Sequence, residues 1–142
     1  MKTIISICIA LFFTFVCACE RVEENYLSEN VEYAAAQYDL LIEKLEKNGK
    51  PWAPRTVDTK GNIVYARNVW DWTSGFFAGS LWYLYNLTGD EKWKTLAKKY
   101  TEALKQQQYI TSHHDIGFII GCSYLNGMRM GQEAYDTIIV QA

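Results

Sequence analysis

The sequence has few of the residues that build a disulfide scaffold or a nucleic-acid-binding surface. It contains 4 cysteines, and three of them, Cys8, Cys17 and Cys19, lie in an N-terminal stretch with the features of an export signal. Cys122 is the single thiol expected in the folded part, which excludes an intrachain disulfide there. The net charge is -2 at pH 7, without a basic cluster, so nucleic acid is not expected as a partner.

The apolar run near the N-terminus is too short for a comfortable membrane span. It covers residues 3–16 after a positive start at Lys2, a pattern typical of a signal peptide. The segment that ends in Ala18-Cys19 resembles the bacterial lipobox, which implies lipidation of Cys19; a plain signal peptide cut near Ala18 is the alternative. We expect a signal peptide at residues 1–18 and a polar tether at residues 19–27. The mature protein would be held in the periplasm or cell envelope through a lipid anchor.

Only 2 prolines are present, Pro51 and Pro54, and both fall in one segment, residues 50–68, where they disfavour helix. Within it, residues 60–62 predict a turn and residues 63–65 a short strand. Elsewhere apolar residues recur every three or four positions, which predicts helices. The helices are expected from an N-cap at Ser28 to residue 47, over residues 73–87, from Asp90 to about residue 105, over residues 115–125, and from residue 132 onward, with a turn at residues 126–131.

The stretch from Trp70 to Trp93 fits the chain again 42 positions later. Self-similarity at such a period marks stacked supersecondary units, here helical hairpins. The matching pairs are Gly75-Phe76 with Gly117-Phe118, Gly79 with Gly121, Trp82 with Tyr124, Gly89 with Gly131, Glu91 with Glu133, and Trp93 with Tyr135.

The second and fourth helices are apolar almost all round, whereas the first and third are amphipathic, which is the alternation that an inner and an outer ring of helices would produce. Gly75 and Gly79 each weaken a helix, and close approach of a neighbouring helix would offset that cost. Repeats need neighbours on both sides, so we interpret residues 28–142 as the N-terminal part of a larger all-α toroid.

The candidate catalytic residue is Asp115, which follows His113 and His114 at the start of the fourth helix. Asp115 is also a good N-cap, whose oxygens would accept the N–H of Gly117 or Phe118; from the residues alone, both roles stay open. A metal site is not expected, because adjacent residues do not converge on one ion as pairs at i and i+4 do.

Three further residues are candidates for contact with a ligand. Trp70 and Trp72 precede an inner helix and would lie at the rim of a toroid, where rings either stack on sugars or pack beneath the long segment. Arg55 could face an acidic ligand or lie solvated on the surface.

The motifs resemble those of the unsaturated glucuronyl hydrolases, glycoside hydrolase family 88. The resemblance is carried by Pro54-Arg55, by Asp71-Trp72-Thr73-Ser74-Gly75-Phe76, by Thr88-Gly89-Asp90 and by His114-Asp115-Ile116-Gly117-Phe118. It implies an (α/α)6 toroid of six hairpins, of which this chain would hold part. It also implies hydration of the vinyl ether double bond in the unsaturated uronic acid at the non-reducing end of lyase-generated oligosaccharides, without a cofactor.

That resemblance also assigns roles to residues. Asp115 matches the first of two family aspartates, which assists at the double bond, and the second would lie beyond this chain. Trp72 matches a ring that stacks on the substrate, with Trp70, His114 and Arg55 as further substrate-binding candidates. A non-enzymatic helical repeat module that binds protein or glycan is the alternative of a different class.

Overall fold

The computed structural model describes residues 2–47, 49, 52–66 and 71–142, with the side chains of residues 2–24 and of Glu133 outside that description. It contains two compact units, Met1–Glu43 and Lys44–Ala142. Helix α1, Lys2–Lys47, begins in the first unit and ends in the second. The candidate residues Trp70 and the thiol of Cys19 lie outside the described part.

The predicted start of the first helix at Ser28 is wrong, because α1 is continuous across that position. A serine caps a helix only where the chain leaves helical geometry, and no proline or glycine interrupts residues 2–47. Residues 19–27, expected as a tether, are therefore helical here, and the division into signal peptide, tether and folded part stays a prediction. Among the described residues, no helix combines the length and apolar character needed to cross a membrane.

The second unit is mainly helical. Its elements are strands β1, Pro54–Val57, and β2, Ile63–Tyr65; helices α2, Ser74–Thr88, and α3, Glu91–Glu102; a 3-10 helix, Lys105–Tyr109; helix α4, Ile116–Ile120; a π-helical segment, Gly121–Leu125; helix α5, Asn126–Arg129; a 3-10 turn, Glu133–Tyr135; and helix α6, Asp136–Gln141. The boundaries predicted for α2 and for the start of α3 at its Asp90 cap agree with this order to within one residue. The last helix, expected from residue 132, begins as a 3-10 turn at Glu133 and as α6 at Asp136.

The strands form an antiparallel hairpin in which Val57 pairs with Ile63. Its turn is closed by Asp58, whose Oδ1 accepts the N–H groups of Lys60 and Asn62, both at 2.8 Å. The turn at residues 60–62 and the strand at residues 63–65 were predicted. Strand β1 was not, because the prolines excluded helix and no strand pattern was recognised before the turn. Pro54 is the first residue of its strand, a position where its missing N–H costs no ladder hydrogen bond.

The turn predicted at residues 126–131 begins four residues late. Residues 126–129 stay helical, and the Asn126 side chain donates back to the carbonyl oxygen of Cys122 at 3.0 Å instead of starting a turn. Helix α5 ends at Arg129, and Gly131, two residues later, has the left-handed φ of +88°. Gly89, one repeat earlier, ends α2 with φ +69°, so the repeat is reproduced at both helix ends.

Large side chains that match across the repeat fill the same positions in the core. Trp82 and Tyr124 are fully buried. Their neighbours in the repeat, Trp93 and Tyr135, are exposed to 5% or less. The indole N–H of Trp82 donates to the hydroxyl of Thr101 on α3 at 3.0 Å, so the buried donor is satisfied. Helix α3 is amphipathic as predicted, with Trp93, Ala97 and Tyr100 buried and its lysines outward.

The main chain of helix α2 lies directly against the main chain of α4 and of the π-helical segment that follows it. A β-carbon on Gly75 would collide with the main chain of Ile119, and one on Gly79 would come within 2.6 Å of the carbonyl oxygen of Cys122. The close helix approach predicted from these two glycines is therefore confirmed. Helix α2 is less enclosed than predicted, because Phe76, Tyr83 and Leu87 remain exposed along one side.

Candidate active site

The close approach of α2 and α4 brings the starts of these two helices together. Three rings form an aromatic cluster there: Trp72 just before α2, Phe76 in its first turn, and Phe118 in the first turn of α4. The Trp72 ring lies 5.5 Å from Phe76 and 5.9 Å from Phe118, and the two phenylalanine rings are 6.3 Å apart, all edge to face. Such pairs attract each other through their quadrupoles as well as by burial.

The aromatic cluster is open to solvent. Trp72 is 43% exposed, Phe76 38% and Phe118 50%. Three large rings in mutual contact make a contiguous apolar surface, which in a soluble protein commonly marks a binding site. Sequence reasoning singled out Trp72 but treated Phe76 and Phe118 as apolar core. The paired Gly-Phe dipeptides at the repeat offset were the signal that could have identified them.

Asp115 lies one helical turn from the cluster. The N–H of Phe118 donates to the main-chain carbonyl oxygen of Asp115 at 2.9 Å, so its carboxylate and the Phe118 ring belong to one turn. The carboxylate is about a third exposed, and its Oδ1 lies 3.3 Å from Nε2 of the almost fully exposed His114. The structure therefore places the predicted Asp115 and His114 together, next to the rings.

The predicted N-cap role of Asp115 is wrong: its side chain accepts no cap hydrogen bond from the described helix. Capping needs an extended backbone at the cap residue. Asp90 has that geometry, with ψ 116°, and its Oδ1 accepts the N–H of Lys92 at 2.9 Å. Asp115 has ψ -3°, which is already helical. Its oxygens remain accessible to a ligand.

Thr73, the repeat counterpart of Asp115, also makes no cap bond to α2. Its N–H and hydroxyl group instead both donate to Oδ1 of Asp71, at 3.1 and 2.6 Å. The second oxygen of Asp71 lies 3.4 Å from Nη1 of Arg55 on β1. Arg55 is thus held beside the start of α2 and is half exposed; its predicted contact with a substrate stays a prediction. Sequence reasoning gave Asp71 no role beyond its place in the motif.

A family model now places the chain among known proteins. The model of glycosyl hydrolase family 76 matches residues 18–142. The chain belongs to glycosyl hydrolase family 76.

Two relatives of this glycosyl hydrolase family 76 chain are named unsaturated glucuronyl hydrolase. The relative from Formosa agariphila is 28% identical over 152 residues, which cover 100% of this chain and 37% of the relative. The relative from Bacillus sp. strain GL1 is 36% identical over 74 residues, 49% of this chain and 19% of its own length. The chain therefore spans little more than a third of the length of the Formosa agariphila relative and about a fifth of the length of the Bacillus relative.

One solved structure resembles the chain over most of its fold. It is a crystal structure of an unsaturated glucuronyl hydrolase specific for heparin, 40% identical, with a TM-score of 0.61 over 64% of this chain and 24% of that one. This match and the helical architecture confirm the predicted fold class: the part of the chain that the structure describes is all-α apart from one hairpin, and it belongs to an (α/α)6 toroid. The resemblance to unsaturated glucuronyl hydrolases is confirmed by relatives of that name, whereas placement in family 88 stays a proposal.

Proposed function

We propose that the intact protein is a glycosidase that removes the unsaturated uronic acid from the non-reducing end of lyase-generated, glycosaminoglycan-type oligosaccharides. The reaction is hydration of the vinyl ether double bond, after which the hydrated sugar separates from the rest of the chain. The single observation that carries this proposal is the accessible Asp115 carboxylate beside the open aromatic cluster, in a fold shared with a heparin-specific unsaturated glucuronyl hydrolase.

The aromatic cluster supplies the sugar-binding part of this site. A pyranose ring has apolar C–H faces that pack on aromatic rings, and Trp72 offers the largest such surface in the cluster. Phe76 and Phe118 hold the Trp72 ring edge to face, at 5.5 and 5.9 Å, so its free face is held in one orientation. Preorganised rings bind at a lower entropic cost than mobile ones.

Asp115 supplies the carboxyl group next to that surface. Hydration of a vinyl ether needs a proton delivered to one carbon of the double bond and a water molecule guided to the other, which is general acid–base work. Asp115 would contact the substrate at the double bond. His114 lies 3.3 Å from the same carboxylate, within reach of the polar groups of a bound sugar.

The family model that matches this chain is that of family 76, whereas the relatives named unsaturated glucuronyl hydrolase and the motifs described above favour family 88. We further propose that this chain is the N-terminal part of an enzyme of family 88, and that another helical unit packs on α4. Gly75 and Gly79 meet the backbone one unit further along, whereas a β-carbon on Gly117 or Gly121, their counterparts, would meet nothing within 4 Å among the described residues. A second catalytic aspartate would come from such a unit. In the intact protein, Gly121→Ala should then lower the free energy of unfolding by about 1–3 kcal/mol through overpacking. A gain in stability, as expected for alanine on an open helix face, would contradict the packing.

Export and lipidation belong to the same proposal. The intact protein would lose residues 1–18, be acylated at Cys19 and act at the cell envelope on oligosaccharides released outside the cytoplasm. Metabolic labelling with a radioactive fatty acid tests this: the wild-type protein should carry label and Cys19→Ser should carry none. Equal labelling of both proteins would rule out Cys19 as the acylated residue.

The activity is tested by incubating the purified intact protein with unsaturated uronyl disaccharides of chondroitin and heparin type, sulfated and unsulfated. The conjugated double bond absorbs in the ultraviolet, and hydration abolishes that absorbance. The proposal predicts steady loss of absorbance with release of the second sugar. Binding without any turnover on the whole panel would instead favour a non-enzymatic glycan-binding module.

A further inference from the structure

Asp71 is the most enclosed carboxylate near the aromatic cluster among the residues for which the structure gives a contact. Its side chain is 9% exposed. Both oxygens are used: Oδ1 accepts the N–H and the hydroxyl of Thr73, and Oδ2 pairs with the guanidinium of Arg55. Burying an ionised carboxylate is costly unless it is paired and hydrogen-bonded, and these three contacts meet that requirement.

The contacts of Asp71 enclose one residue, Trp72. The Asp71 side chain reaches over Trp72 to Thr73, and the main-chain carbonyl of Asp71 accepts the N–H of Ser74 at 3.0 Å. The main chain on both sides of Trp72 is therefore fixed by hydrogen bonds to the same residue. The Trp72 ring is 43% exposed and rests on Phe76 and Phe118.

Arg55 connects this turn to another element. It lies on β1, far in sequence from α2, and its Nη1 is 3.4 Å from Asp71 Oδ2. It thus ties the β-hairpin to the residue that holds Trp72. Arg55 also offsets a negative charge directly beside a surface that would receive an anionic sugar, where an unpaired carboxylate would repel the ligand.

We propose that Asp71 is a positioning residue, which sets the orientation of the Trp72 ring through Thr73 and is itself held by Arg55 of the hairpin. The inference rests on the proposed function for its kinetic consequence, because it assumes that Trp72 stacks on the substrate. Asp71 does not contact the substrate; it acts through Trp72. We call the contacts of Asp71 with Thr73 and Arg55 the bracket. Loosening the bracket should weaken substrate binding and leave the rate of the chemical step nearly unchanged.

The variants that test the bracket are Thr73→Val, which removes the hydroxyl at equal size, and Thr73→Ser, the matched control that retains it. Asp71→Asn keeps one acceptor oxygen and removes the charge. In the intact protein, Thr73→Val and Asp71→Asn should raise KM for an unsaturated uronyl disaccharide roughly tenfold, a loss typical of one well-placed contact. The change in kcat should stay within about twofold, and Thr73→Ser should behave as wild type.

A second readout does not depend on turnover. With 5-fluorotryptophan incorporated, the 19F resonance of Trp72, assigned by its loss in Trp72→Phe, reports the order of that ring. It should sharpen and shift toward the free amino acid in Thr73→Val and Asp71→Asn, and remain as in wild type in Thr73→Ser. An unchanged Trp72 resonance in both variants would overturn the inference, whether or not the protein turns over this substrate.

A double-mutant cycle decides how Arg55 acts. If Arg55 works through Asp71, the effects of Arg55→Gln and Asp71→Asn on KM are not additive, since the double variant loses little beyond the single ones. Additive effects would mean that Arg55 contacts the substrate itself and would overturn its part in the bracket. Loss of the folded state in both Thr73→Val and Asp71→Asn, seen by circular dichroism, would assign a purely structural role and overturn the proposal.

A wild-type protein without turnover, together with a Trp72 resonance that responds to Thr73→Val, would refute the proposed function and leave the bracket standing. The two ideas can therefore fail separately.

Discussion

Gly79 lies so close to Cys122 that a β-carbon at position 79 would come within 2.6 Å of the Cys122 carbonyl oxygen. Real β-carbons do not approach a carbonyl oxygen that closely, and main-chain atoms cannot rotate away. The contact joins α2 to the helical segment that follows Asp115. Together with the packing of Gly75 against the main chain of Ile119, this contact brings Trp72 and Phe118, from two different repeats, into one aromatic cluster.

Gly79→Ala should lower the free energy of unfolding by about 1–3 kcal/mol, the usual cost of forcing an extra methyl group into a packed interface. The reason is that α2 and the Cys122 backbone must separate. Denaturant unfolding of the intact protein, followed by circular dichroism, measures the change. Ser80→Ala is the matched control, since its hydroxyl only donates to the carbonyl of Phe76 in its own helix and its removal should cost little. Equal stability of both variants would contradict the close approach.

Alkaline pH should destabilise the protein through its buried tyrosines. Burial, followed by the nearby negative charge of Glu102, raises the pKa of Tyr124 well above its usual value, and burial does the same for Tyr135. In the unfolded chain tyrosine ionises near pH ~10. Above that pH the unfolded state binds fewer protons than the folded state, so the free energy of unfolding falls as pH rises.

Tyr124→Phe isolates this effect. The Tyr124 hydroxyl is buried and has no hydrogen-bond partner among the described residues, so its removal should be neutral or slightly stabilising at pH 7. Between pH 8 and pH 11 the variant should lose less stability than wild type. Tyr109→Phe, at an exposed ring, should follow the wild-type curve. A Tyr124→Phe curve that also follows wild type would show that Tyr124 ionises as readily folded as unfolded.

The sequence predicted those parts of the fold that depend on pattern and on single glycines. The 42-residue repeat anticipated the matching burial of Trp82 and Tyr124 and the left-handed glycines at positions 89 and 131. It did not predict the start of α1, because whether Ser28 caps a helix depends on the backbone before it. For the same reason the residues alone left the role of Asp115 open: residue type suggested a cap, whereas the local ψ of -3° decided against one.

The candidate site was predictable only in part. Asp115, His114 and Trp72 were identified by their motif. Phe76 and Phe118 were taken for core because apolar residues in an apolar helix give no sign of which side faces solvent. Asp71 was missed since its importance depends on two tertiary facts, burial and the approach of Arg55 from the hairpin. Contacts between residues distant in sequence are absent from local patterns.

Trp72→Ala should weaken substrate binding in the intact protein. Removing an aromatic ring that stacks on a sugar should raise KM by roughly tenfold to a hundredfold, in line with the 1–3 kcal/mol that such contacts typically contribute. Trp72→Phe should retain part of the affinity because a smaller ring still packs on Phe76 and Phe118. Tyr109→Ala, which removes an exposed ring elsewhere, is the control. If Trp72→Ala and Tyr109→Ala share the wild-type KM, the aromatic cluster is not the sugar-binding surface.

The central claim is that Asp115 acts on the double bond, and Asp115→Asn tests it most directly. The side chain makes no cap bond to the described helix, so the variant should fold and melt like wild type. We expect it to lose nearly all turnover of an unsaturated uronyl disaccharide, at least ~100-fold, the scale of a missing acid–base group. Asp136→Asn, an exposed aspartate at the start of α6, should keep full activity. Full activity of a folded Asp115→Asn protein would contradict the account.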